Sequence, residues 1–211
     1  MLTTALAQRG FNVTALVNMN VIRHSIDARA KDLGLDHRLH AVIGNVQHLQ
    51  FANGAFDVVL AVGVLGWVKS PLNTMIGIRR ILRRGGCAIV TIDNRWTLAE
   101  FLDPRRNPVL KSFYAQMAAL IAPLCSPNNS LTPSFPNKFS VKKFDDLVRG
   151  VGMMKLAGFT ITFGPFTFLG HNMFPDHFGM VVHDAFQRLA DFNLPPFRFG
   201  GSDYVYVGLR T

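Results

Sequence analysis

The sequence predicts an α/β fold, a mostly parallel sheet with helices on both faces, from three observations. Short apolar runs alternate with amphipathic segments between residues 13 and 92. The run Phe56–Val64 (FDVVLAVGV) is almost wholly apolar, as a strand covered on both faces requires. Stop and start signals fall between the runs, at Gly34, at Ser70-Pro71 and at Gly85-Gly86. Strands that alternate with helices pair in parallel, because each helix carries the chain back across the sheet.

Taken in order, Val13–Val17 (VTALV) reads as a buried strand. Asn20–Leu33 follows as a helix with Ile22, Ile26 and Leu33 on one face, and Gly34 is placed to end it. Leu39–Ile43 is the next strand, and Phe56–Val64 the one after. Ser70 is a good cap, and Pro71 suits the first helical position, where its missing N–H costs nothing. Leu72, Met75, Ile76 and Leu82 form the predicted inward stripe of that helix, Arg83-Arg84-Gly85-Gly86 its stop, and Cys87–Ile92 a further strand.

After Asp93 the texture changes. Pro104, Pro108, Pro123, Pro127, Pro133 and Pro136 surround one predicted helix, Val109–Leu120. The stretch 94–139 is too long for a plain connection and reads as a lid or substrate-covering insert. Ser140 then caps a helix with Phe144, Leu147, Val148 and Val151 inward. Thr160–Phe163 and Tyr204–Leu209 are the predicted closing strands, with an aromatic-rich segment, Phe163–Phe199, and a helix near Gly179–Ala190 between them. The chain thus divides into 1–93, 94–139 and 140–211.

Composition limits the function. With 211 residues, 49% of them hydrophobic, the chain can bury a core and is not disordered over most of its length. The net charge is +9, yet Glu100 is the only glutamate, so the basic balance reflects missing acid as much as added base. Cys87 and Cys125 make no disulfide framework and no metal-ligand spacing. No signal peptide opens the chain, and the longest apolar stretch, Phe56–Val68, carries Asp57 and is too short to span a bilayer. A soluble cytoplasmic protein is expected.

Each candidate has a plain counterpart. Arg79, Arg80, Arg83 and Arg84 suit a nucleic-acid patch, but they also suit the last turn of a helix, where cations complement the dipole. No basic–aromatic interleaving of the RNA-reader kind accompanies them, so nucleic acid is not an expected partner. Lys142 and Lys143 read the same way. His171, His177 and His183 have no metal-ligand spacing, and no metal is expected. Phe163, Phe166, Phe168, Phe174 and Phe178 are either the core of a small subdomain or an apolar wall for a lipid-like acceptor.

Three stretches carry a family resemblance. They are Gly44-Asn45-Val46-Gln47-His48-Leu49-Gln50-Phe51, then Gly54-Ala55-Phe56-Asp57-Val58-Val59, then Val64-Leu65-Gly66-Trp67-Val68. In order and spacing they resemble the class I S-adenosylmethionine-dependent methyltransferases, with a G-D-A-x-x-L-P-F type of loop before F-D-x-V. Ile78-Arg79-Arg80-Ile81-Leu82-Arg83-Arg84-Gly85-Gly86 is similar to the family's R-x-L-R-P-G-G turn, and Ala157-Gly158-Phe159 to the A-G-F before its sixth strand. The resemblance covers residues 1–93 and 140–165.

The resemblance implies a Rossmann-like sheet that binds S-adenosylmethionine at the carboxyl ends of its strands. By position it assigns Val17, Asn18, Asn45, Val46 and Gly63 to the cofactor, and Asn94, Arg95 and Trp96, after the fifth family strand, to the acceptor. Residues 1–93 are then a partial cofactor-binding core, 94–139 the insert, and 140–211 the closing helix and strands with an aromatic-rich extension.

The departures matter as much. The family's G-x-G-x-G loop has no counterpart in the 211 residues, and Leu2–Arg9 resembles the helix that should follow it. The family's first strand is therefore expected to be absent and the chain to be the remainder of a longer methyltransferase. That strand is central in the family order, so its absence should leave Val13–Val17 and Phe56–Val64 paired directly or with open edges. Val17 stands where the family carries an acid for the ribose hydroxyls, and Asn45 where an aspartate meets the adenine amino group. The implied function is methyl transfer from S-adenosylmethionine to a small, apolar or lipid-like acceptor, impaired by the missing loop. The alternative is a non-catalytic binding or scaffold module. No catalytic base is assigned, and the oligomeric state is left open.

Overall fold

The computed structural model describes residues 2–103, 107, 110, 137–164, 166–168 and 171–211. They divide into two compact units, Met1–Asn53 and Gly54–Thr211. The predicted helix Val109–Leu120, and most of the insert, lie outside the described residues.

Unit 1 comprises α1 (Leu2–Gln8), β1 (Val13–Val17), α2 (Asn20–Asp32) and β2 (Leu39–Ile43). Its two strands run parallel, in register from Val13 opposite Leu39 to Val17 opposite Ile43. The core is built of small residues, with Ala7, Ala15, Ala30 and Ala41 around Ile26 and Leu39. Of the face predicted for α2, only Ile26 is buried; Ile22 and Leu33 are exposed. The true stripe runs from Ile26 to Ala30, one turn on. Gly34 does end the helix: it takes φ +65°, and Leu35 N–H donates back to Ala30 O at 2.7 Å.

Unit 2 begins with β3 (Phe56–Ala61), α3 (Pro71–Ile81), β4 (Leu82–Asp93) and α4 (Leu98–Leu102). It continues with α5 (Val141–Gly150), β5 (Met153–Ile161), and the short strands β6 (Thr167–Phe168) and β7 (His171–Asn172). Last come α6 (Asp176–Asp191), α7 (Phe197–Gly200) and β8 (Asp203–Arg210). The sheet order is β3-β4-β8-β5. β3 and β4 are parallel, whereas β8 is antiparallel to both its neighbours. Among the described residues β1 has a ladder only with β2, and β3 only with β4.

Several boundaries differ from expectation for local reasons. β3 stops at Ala61, because Gly63 turns away at φ +65° and its N–H donates to Thr91 Oγ1 at 2.7 Å. Ser70 caps α3 as predicted, accepting from Asn73 N. The buried face of α3, however, is Thr74, Met75, Ile78 and Ile81, while Leu72 and Ile76 stand about half exposed. Thr74 tolerates burial because its hydroxyl donates to Ser70 O. Arg83-Arg84-Gly85-Gly86 lies inside β4, where the register against β3 shifts between Phe56 and Val58. Ser140 accepts from Lys143 N to cap α5, with Phe144 and Val148 fully buried. β5 opens at Met153, well before Thr160, so Ala157-Gly158-Phe159 lies within the strand. Gly158 is needed there: a Cβ would stand 2.1 Å from Tyr204 Oη.

On one face of this sheet Ala88, Val90, Ile92, Tyr204 and Tyr206 are all at most 2% exposed. Phe144 sets its ring edge-on to Phe139, Tyr204 and Tyr206, with centroids 5.7, 6.4 and 5.8 Å away. The opposite face keeps Val58, Leu60, Met154 and Phe159 exposed. No helix among the described residues is long and apolar enough to cross a membrane. Phe144→Ala is expected to destabilise the protein by about 3–5 kcal/mol, the usual loss for a buried aromatic. Ile76→Ala, at an exposed position, should stay within about 0.5 kcal/mol; urea denaturation of both variants measures the difference.

Candidate functional site

Ligands of open α/β sheets bind beyond the carboxyl ends of parallel strands, where loops and side chains converge. In unit 1 those ends are Val17-Asn18 after β1 and Gly44-Asn45-Val46 after β2. Gly44 N–H donates to Val17 O at 2.9 Å and holds the two ends together. Gly44 also packs closely, since a Cβ would meet Leu16 Cδ1 at 2.7 Å. Asn45 turns the chain: its Oδ1 accepts from Gln47 N, and its carbonyl from His48 N, both at 2.9 Å. With the oxygen engaged, the exposed carboxamide offers its NH2 as a donor. Val17 packs against the unit's core and brings no polar side-chain atom, and Asn18 is exposed.

In unit 2 the strand ends are Gly63 after β3 and Asp93-Asn94 at and after the end of β4. A Cβ at Gly63 would meet nothing within 4 Å among the described residues. Asp93 lies directly opposite Asp203 in the β4–β8 ladder. Burial pushes the Asp93 carboxyl above the usual carboxylate range, Asp203 adds to the rise, and Lys138 opposes it.

Asn94 is 2% exposed and fully bonded. Its Nδ2 donates to Trp96 O, Phe199 O and Gly201 O at 3.0, 2.7 and 2.9 Å, and its Oδ1 accepts from Trp96 N. Its backbone N–H reaches Ser202 O at 2.8 Å. The side chain therefore bolts the loop after β4 to the loop before β8. Asn137 makes a second tie, donating from Nδ2 to Val68 O at 2.6 Å, so residues 137–140 cross the carboxyl ends of β3 and β4.

A cleft of about 580 Å³ opens beside this bolt, with Asn94, Trp96, Ser140, Lys142, Arg198 and Phe199 in its walls. Trp96 is 42% exposed and Phe199 48%. Of the acceptor residues predicted from sequence, Asn94 and Trp96 line the cleft. Arg95 does not; its guanidinium lies over the Trp96 ring, 5.9 Å from the centroid. Asp145 forms the far wall, accepting from Tyr204 Oη at 2.8 Å and from Lys155 Nζ at 2.6 Å. Burial and the bond to Asp145 push the Tyr204 hydroxyl far above its ordinary range. Arg198, Phe199 and Asp145 are not candidates from sequence, and Lys142 is one only as part of a nucleic-acid patch. Lys142 carried a usable signal: it stands in the first turn of a helix, where a cation opposes the dipole.

Several of the remaining candidates have structural work. Arg79 Nε donates to Gly152 O at 3.2 Å, and Arg83 pairs with Asp57. Phe163 and Phe166 are buried with Ala99 and Ala190, and Phe174 packs against them, while Phe168 and Phe178 are about half exposed. Among the described residues no three His, Cys, Asp or Glu side chains gather in a way that could hold a metal ion.

Comparison with known proteins bears on this geometry. Residues 1–90 match a family model described as methyltransferase domain. No curated protein matches the sequence. Among solved structures, the chain is similar to a SAM-dependent methyltransferase from Methanosarcina mazei, with a TM-score of 0.60 at 15% identity, covering 99% of this chain and 86% of that one. It is similar to a geranyl diphosphate methyltransferase in complex with SAM, with a TM-score of 0.57 at 15% identity, covering 100% and 73%. It is equally similar to the [4+2]-cyclase SpnF, with a TM-score of 0.57 at 15% identity, covering 99% and 71%. At such identity the likeness is one of fold, and the cyclase shows that this fold hosts more than one chemistry.

The Asp93–Asp203 pair makes a prediction about pH. A carboxyl whose folded pKa is raised favours folding below its unfolded pKa, and that contribution is lost as pH rises through the folded value. Asp93→Asn should therefore raise Tm at pH 7. The gain should shrink as pH falls through the raised pKa and vanish below the ordinary carboxylate range, which thermal melts across pH will show.

Proposed function

From a chain of class I methyltransferase fold whose residues 1–90 match the methyltransferase-domain family, we propose S-adenosylmethionine-dependent methyl transfer to a small acceptor, with weakened hold on the cofactor. The observation that carries the reading is the pair of turns after β1 and β2, in the stretch that matches the family. When bound, the cofactor supplies a methyl group to a nucleophilic atom and leaves as a neutral thioether.

The residues present suit this cofactor in part. Within unit 1 the Asn45 NH2, without a hydrogen-bond partner among the described residues, suits a ring nitrogen of adenine. Val17 does not suit the ribose, having nothing to accept a hydroxyl proton. Bonds to a charged group contribute about 1.5–3 kcal/mol, so a lost carboxylate there weakens binding by about tenfold to a hundredfold. On the acceptor side, Asn94 holds the loop that presents Trp96, and Trp96 and Phe199 offer apolar faces to a substrate with an apolar body. The chemistry is mainly alignment, which a rigid loop provides without a dedicated base. The proposal includes a cytoplasmic location.

A second reading, a non-catalytic binding module, is favoured by Val17, which offers no polar side-chain atom to the ribose. Calorimetric titration with S-adenosylmethionine and with its demethylated product separates the two. Methyl transfer predicts measurable but weak binding, strengthened about tenfold or more in Val17→Asp, whose fold is checked by circular dichroism. No binding by either protein at millimolar cofactor would leave the second reading.

A further inference from the structure

We infer that the cleft at the end of β4 takes an oxyanion on a ring-bearing body, such as a small aryl carboxylate or aryl phosphate. That this occupant is also the methyl acceptor rests on the function proposed above; that it is an anion rests on the cleft alone.

Charge is the first argument. Four cations border the cleft, Lys142, Arg149, Lys155 and Arg198, against two carboxylates, Asp145 and Asp146. Lys155 is paired with Asp145 at 2.6 Å and Arg149 with Asp146 at 3.4 Å. Among the described residues, Lys142 and Arg198 have no carboxylate within ion-pair distance. These two cations come from separate elements, α5 and α7, and both line the one cleft.

Placement is the second argument. Lys142 and Lys143 occupy the first turn of α5, which holds no acid, so both oppose the helix dipole. Local rules are broken most often at functional or strained positions, and of the two lysines Lys142 lines the cleft. An anion beside the first turn reverses the penalty, meeting the dipole and the Lys142 ammonium together.

The third argument is the apolar surface beside the cations. Trp96 and Phe199 leave 42% and 48% of their surface open. The Arg198 guanidinium already lies over the Phe199 ring, 5.1 Å from the centroid, which orients its remaining donors. A ligand with a flat apolar part fills the aromatic side while its oxyanion reaches Arg198 and Lys142. A neutral lipid would bury rings but leave both cations unanswered.

Trp67 and Trp96 are the only tryptophans, so a Trp67→Phe protein reports on the cleft through Trp96 fluorescence. It is titrated with 3-phenylpropionate, with phenyl phosphate, and with the neutral 3-phenyl-1-propanol. The expected result is saturable quenching by at least one anion, about tenfold tighter than the alcohol and weakened by salt. Whichever anion binds tighter identifies the carboxylate or the phosphate as the preferred headgroup. Arg198→Gln and Lys142→Gln should each weaken the anion about tenfold, and Lys143→Gln, outside the cleft, should not. Equal affinity for alcohol and anions, or no saturable quenching by either anion from folded protein, would overturn the inference. The titration needs no methyl donor. Anion binding without any cofactor binding would refute the methyl-transfer reading and leave the cleft assignment standing.

Discussion

The architecture of unit 2 depends on its last strand lying inside its sheet. β8 pairs with β4 on one side and β5 on the other, and its ladder with β4 joins residues more than a hundred positions apart. Glycines make the fit possible: a Cβ at Gly201 would come 2.5 Å from Ile161 O, and one at Gly208 2.5 Å from Tyr206 Oη. Tyr204 and Tyr206 then fill the space under α5 and surround Phe144. The Asn94 bolt holds only while β8 is in place, since two of its three acceptor carbonyls, Phe199 and Gly201, lie just before that strand. Asp145 depends on it as well, through Tyr204. The cleft is thus a product of strand insertion, and its walls come from residues distant in sequence.

That origin explains what the sequence could and could not show. Elements set by local rules were legible: β1 and β2 fall on the predicted residues, and Ser70, Ser140 and Gly34 cap as their chemistry demands. Errors arose where tertiary packing chose between equivalent local options. The stripe of α3 turned toward Thr74 and Ile78, because a local bond to Ser70 O satisfies the threonine hydroxyl. β5 begins early, because its pairing partner β8 extends to Arg210 opposite Met153. The Ala157-Gly158-Phe159 stretch read as a lead-in to a strand, but its glycine serves the ring of Tyr204.

The candidate site divides in the same way. The turns that follow β1 and β2 are local, and the resemblance assigns them to the cofactor, with Val17 as the proposed weak point. The partners of Asn94 could not be found so, for Phe199 and Gly201 are 105 and 107 residues away. The side chain of Asn94, expected to meet substrate, is engaged with the backbone and holds the loop that follows β4. Arg198 and Phe199 carried no pattern of their own. Lys142 does, in the first turn of its helix, but a lysine on a helix is so often a solvated one that this place alone does not single it out.

The account proposed from these features joins a methyltransferase fold to a weakened hold on S-adenosylmethionine and to a basic, aromatic cleft for the acceptor. The most direct test follows a labelled methyl group from S-adenosylmethionine, at millimolar concentration, into a mixture of small aryl carboxylates and aryl phosphates. The account predicts slow transfer into the anionic products, reduced in Trp96→Ala. Absence of label in any product, from folded protein shown to hold both cofactor and anion, would contradict it.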